Sequence, residues 1–156
     1  MKFSKKSALV LVVLVLINLL AVPALAKDKP EEKLQEQMLS LINSEREERG
    51  LTTLELDEEL TKAALAHATD MIERDYFSHW TPEKLSPADR LRQAKIPFRI
   101  MGENLAGNTS VNHAHGMLME SPSHRDNILN EKFGKVGIGI IKGGRYGYMM
   151  VMIFKG

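Results

Sequence analysis

The side chains of this sequence able to do chemistry are five histidines, His67, His79, His113, His115 and His124, and a glutamate in the run Gly102-Glu103-Asn104-Leu105-Ala106. No local spacing among them is diagnostic. There is no His-Glu-x-x-His, no phosphate-binding loop and, with no cysteine in the chain, no paired-thiol zinc motif. A site must therefore be assembled from distant segments. His79 lies in an aromatic stretch, Tyr76 to Leu85, that reads as a loop, where functional residues concentrate. Glu103 is expected in a second loop, just after a short strand at 98–100. His124 follows Ser121-Pro122-Ser123 at the start of a turn. Two neutral imidazoles and a carboxylate are a set that holds zinc or another divalent cation and leaves a fourth position for water. Each also has a plainer use: Glu103 can accept from backbone N–H groups, and His124 can meet a carbonyl. Ser121 and Ser123 beside His124 raise a Ser-His hydrolase, but no orienting Asp is identifiable and Ser before Pro reads as a cap. His113 and His115, two apart on a helix, point in different directions and are expected on a solvated face. His67 falls on an apolar helix face, as a buried histidine with one hydrogen bond would.

The elements that must position these residues show in the periodicity. Leu34, Met38, Leu41 and Ile42 form one apolar helix face, and Gly50 ends that helix. Asp57 caps a second helix with Leu60, Ala64, His67 and Met71 inward. Ser86-Pro87-Ala88-Asp89 opens a third. Thr109 or Ser110 caps a fourth, with Val111, Ala114 and Leu118 inward, and Ser121 caps a short turn after it. The chain closes on a hairpin, Lys135 to Lys142 and Arg145 to Phe154, around Gly143-Gly144. Val136, Ile138 and Ile140 alternate with small residues, whereas the last strand is apolar on both faces and is expected to be central and covered twice. Helices followed by a covered hairpin predict an α/β fold, a three-layer α/β/α sandwich on a central antiparallel sheet.

The opening residues carry a different message. Lys2, Lys5 and Lys6 precede an apolar run that ends at Pro23 and Ala24-Leu25-Ala26, the pattern of a secretory signal peptide over 1–26. A polar tether over 27–33 and one domain over 34–156 are expected to follow. Membrane contact is expected only through the opening segment, should it be retained, and a cysteine-linked lipid is excluded. The chain's formal net charge is +1, with no dense basic stripe, so a nucleic-acid partner is excluded. The expected location is secreted or extracellular.

Several runs, in order, resemble one family. Leu41-Ile42-Asn43-Ser44-Glu45-Arg46 with Gly50-Leu51, then Tyr76-Phe77-Ser78-His79, then Gly102-Glu103-Asn104-Leu105-Ala106, then Ser121-Pro122-Ser123-His124-Arg125, then Gly137-Ile138-Gly139 are similar to the CAP superfamily, in its bacterial SCP-like extracellular branch. That superfamily includes cysteine-rich secretory, antigen 5 and pathogenesis-related proteins. The resemblance implies an α/β/α sandwich with a central cleft. It places His79, Glu103 and His124 at three of the four cleft positions that bind a divalent metal such as zinc in animal members. The fourth, a glutamate there, falls on Ser121, a cleft neighbour. The family has no single shared activity. The resemblance thus implies an extracellular or cell-envelope binding module; a metal-assisted hydrolase, with Glu103 as the catalytic base, and a lipid or other apolar-ligand binder are the alternatives.

Overall fold

The computed structural model describes residues 30–156, so the signal-peptide reading lies outside the described residues. Five helices and four strands follow: α1 (Pro30–Glu47), β1 (Glu55–Leu56), α2 (Glu58–Glu73), α3 (Pro87–Gln93), β2 (Met101–Asn108), α4 (Val111–Glu120), α5 (Pro122–Ile128), β3 (Lys135–Lys142) and β4 (Tyr148–Lys155). Residues 30–33, read as tether, form the first turn of α1. Among the described residues, no helix is long and apolar enough to cross a membrane.

The expected caps are in place. Asp57 accepts from the Leu60 N–H, Ser110 from the His113 N–H, and Ser86 with Asp89 forms a complete capping box. Gly50, at φ 68°, turns the chain out of α1, and the Leu51 N–H reaches back to the Arg46 carbonyl. Ser121 is the exception: it occupies the cap position of α5, yet its side chain makes no capping bond.

The sheet runs β1-β3-β4-β2. Its three long strands are antiparallel, and two-residue β1 adds to β3 in parallel. The hairpin loop is longer than the Gly143-Gly144 turn suggested: strand pairing stops at Lys142 and Tyr148. As expected, β4 is covered on both faces. Met150, Met152 and Phe154 join α1, α4 and α5 in one core, and Met149, Val151 and Ile153 join α2 and α3 in the other. β3 divides differently: Val136, Ile138 and Ile140 enter the first core, while Gly137 and Gly139 let the α2 backbone lie against the sheet.

His113 is exposed on α4, but His115 is buried, correcting the expectation of a solvated pair. Burial holds the His115 pKa below the ordinary value, partly countered by Glu45 on α1. His67 is likewise depressed, by burial and then by the Arg90 charge. Both rings take up protons more readily once the chain unfolds. Stability is therefore full above the ordinary histidine value of 6.5 and falls as pH drops through it. The unfolding free energy should decline between about pH 7.5 and 5.5, by at most about 1.4 kcal/mol per pH unit for each ring. His115→Leu should flatten that slope in urea melts; an unchanged slope would remove His115 from the account.

Candidate functional site

β2 corrects one reading at once. Gly102-Glu103-Asn104-Leu105-Ala106 is strand, and the expected strand at 98–100 lies before it. The alternation of a strand sends Glu103 and Asn104 to opposite faces. Glu103 faces the α3 side. Its Oε1 meets His79 Nδ1 at 2.8 Å, and its Oε2 accepts from Arg90 Nη2 on α3. The Glu103 side chain is 2% exposed, against 43% for His79. Arg90 Nη1 also donates to the His79 carbonyl at 2.6 Å. One guanidinium thus holds both the loop that carries the imidazole and the carboxylate that fixes its ring. Because an ionised carboxylate only accepts, His79 Nδ1 carries the proton of this bond, and in the neutral ring the lone pair then lies on Nε2.

Asn104 faces the other way and is fully buried. Its Nδ2 donates to the His124 carbonyl at 2.9 Å, and its Oδ1 accepts from Asn127 Nδ2 at 2.8 Å. The start of α5 is thereby fastened to β2, which sets His124 at the cleft. Burial, then the nearby His79, holds the His124 pKa below its ordinary value. His67 behaves as read from its helix face. It is 2% exposed and its Nε2 sits 3.0 Å from the Ser78 carbonyl, tying α2 to the loop one residue before His79.

Among the described residues, no three His, Cys, Asp or Glu side chains form a group that could hold a metal. Both oxygens of Glu103 are already bonded, and its side chain is shut from solvent. Third ligand and orienting partner of an imidazole are both open to Glu103, and the bonds it makes, one oxygen to His79 and the other to Arg90, are those of an orienting partner. The His79 arrangement still fits a metal-binding imidazole, which commonly donates its second ring N–H to a carboxylate.

Beside His124 lies an open, mostly apolar groove of about 300 Å³, reached by Leu105, Gly107, Met117, Ser121, Phe77 and Tyr146. Ser121 also lines this groove. Phe77 and Tyr146 pack edge to face, with centroids 5.3 Å apart. Sequence reasoning missed Arg90 and the paired Phe77–Tyr146 rim. The Ser86 capping box was the available signal for Arg90, because it fixes how α3 leaves the loop. Nothing in the sequence pairs Phe77 with Tyr146.

Comparison with known proteins agrees with this architecture. The sequence matches the family described as CAP, cysteine-rich secretory protein family, over residues 39–154. It is 36% identical over 111 residues to the uncharacterized protein YkwD of Bacillus subtilis, covering 70% of this chain and 43% of that protein. It is 35% identical over 124 residues to the uncharacterized membrane protein YlbC of the same organism, covering 76% and 36%. The chain thus spans less than half the length of either relative. An extracellular protein with an SCP domain from Bacillus anthracis superposes with a TM-score of 0.72 at 31% identity, covering 80% of this chain and 41% of that one. An outer surface protein from Borrelia burgdorferi shares the fold, with a TM-score of 0.76 at 24% identity, covering 81% and 95%. By sequence and by architecture, and although it has no cysteine of its own, this chain belongs to the cysteine-rich secretory protein (CAP) family, in its bacterial SCP-like form.

Proposed function

We propose that the protein acts outside the cytoplasm as a binding module. Its cleft presents His79 and His124 beside an apolar groove, and Glu103 orients rather than reacts. The observation that carries this reading is the state of Glu103, 2% exposed with a partner on each oxygen. A general base must reach a water, and a third ligand must turn an oxygen toward the ion, whereas both oxygens here are turned to His79 and Arg90. Export is supported by the opening segment and by relatives described as extracellular or outer-surface proteins.

A divalent cation such as zinc would be held by the two imidazoles alone, with water completing its shell. Calorimetric titration with zinc should therefore lose its signal in His79→Ala and in His124→Ala. Glu103→Gln should keep it, weakened about 10- to 100-fold as for other orienting partners. Unchanged binding in His79→Ala would remove the cation site. Hydrolysis that requires metal and vanishes in Glu103→Gln with metal still bound would replace the module by an enzyme. The groove favours one further reading, an apolar ligand, which mass spectrometry of co-purified lipid would reveal.

A further inference from the structure

The groove has a floor of unusual chemistry. Among the described residues β2 is an edge strand, with β4 on one side and no strand on the other. Ile100 and Gly156 exchange both of their backbone hydrogen bonds, at 3.2 Å each. In register from that pair, the even-numbered residues of β2 face β4. The odd-numbered ones, Met101, Glu103, Leu105 and Gly107, turn their N–H and C=O groups to the open edge. The Glu103 carbonyl confirms the phase, since it accepts from the side chain of Asn127 at 3.2 Å instead of from β4. Among the described residues no hydrogen bond reaches the peptide groups of Leu105 or Gly107; both residues border the groove, Leu105 with 6% of its surface exposed. The walls rise from the two faces of the sheet. Tyr146 lies over Gly107, whose added Cβ would meet the ring at 2.5 Å, and Met117 of α4 stands opposite. Phe77, Met117 and Tyr146 are 43%, 54% and 37% exposed, an apolar patch in water on both sides of unpaired peptide groups.

We infer that the cleft binds an extended peptide, which adds to the β2 edge as a further strand. Unpaired N–H and C=O groups at Leu105 and Gly107 call for another backbone, and apolar walls on both faces call for apolar side chains on alternate residues. A lipid chain satisfies the walls and leaves the peptide groups unpaired. This deepens the binding-module reading and rests on it, but not on the cation.

The test uses short blocked peptides alternating valine or leucine with threonine, with a lysine tail for solubility. Binding is followed by amide hydrogen exchange on the full chain. The peptides should slow exchange at Leu105 and Gly107 and leave Asn104 and Ala106 unchanged. Of two versions N-methylated on alternate residues, one should lose binding and the other keep it. Met117→Lys, at an exposed position, should weaken binding about tenfold with an unchanged melting curve. Three results would each overturn the inference: no binding by any peptide, binding that shifts Tyr146 without slowing either amide, or slowing that tracks protein concentration without peptide. The last would assign the edge to a second copy of the chain. If the peptides fail while zinc still requires His79, only the added strand falls; if both fail, the module reading falls with it.

Discussion

Replacing Arg46 with alanine is expected to destabilise the fold by about 3–5 kcal/mol, because it strips four carbonyls of their donor, at about 1–3 kcal/mol for each that stays dry, and empties a buried volume. Arg46 sits near the end of α1 and is 0% exposed. Its guanidinium is held by carbonyls, with no carboxylate. Nε donates to Thr52 at 2.8 Å, Nη1 to Ile128 at 2.8 Å and to Asn130 at 3.0 Å, and Nη2 to Phe133 at 3.2 Å. The Ile128 carbonyl belongs to the last turn of α5, where helical carbonyls lack partners and the dipole favours a cation. One side chain therefore joins the exit of α1, the strand-bound loop after it and the segment leading into β3. Desolvation lowers the Arg46 pKa, and the four carbonyls offset that cost. Arg46→Lys should recover part of the loss, because a single ammonium cannot span the same fork. Urea unfolding measures this as a lower midpoint at constant slope. A loss below about 1 kcal/mol would mean that water replaces the guanidinium.

Gly137→Ala is expected to cost about 3 kcal/mol or more, at or beyond the upper end for overpacking. A Cβ there would lie 2.2 Å from the Leu60 carbonyl carbon and 2.4 Å from the Thr61 nitrogen. Gly139→Ala meets the Ala64 carbonyl carbon and the Leu65 nitrogen at 2.5 Å and should behave alike. These are backbone atoms of α2, so no rotamer can relieve the overlap and the helix must lift from the sheet. The damage should reach the cleft, because α2 carries His67 and His67 holds the Ser78 carbonyl. Gly116→Ala is the control. Nothing lies within 4 Å of the added atom on α4, so the change should stabilise by about 0.5–1 kcal/mol. Thermal melts of the three variants decide it. Similar melting temperatures for Gly137→Ala and Gly116→Ala would refute the close approach of α2.

Much of the fold is legible in the order of residues, because caps and hydrophobic periods are local. Asp57, Ser86 and Ser110 announce their helices, and the doubly apolar 148–154 run announces a central strand, while the alternation of Val136, Ile138 and Ile140 with small residues gives β3 its apolar face. The family motifs add the cleft and name His79, Glu103 and His124 as its residues. The use made of each polar atom is not local. Glu103 reads as a ligand or a base until Arg90, thirteen residues earlier in the chain, occupies one oxygen and His79 the other. His115 reads as solvated until α1 covers it. Which edge of β2 stays open depends on strand order, and strand order appears only when β4 pairs with β2 and not with β1. Sequence determines which residues share a face, through the fixed periods of helix and strand. Tertiary structure alone decides which lone pairs and peptide groups are already satisfied, because the partners come from segments that meet only in the folded chain.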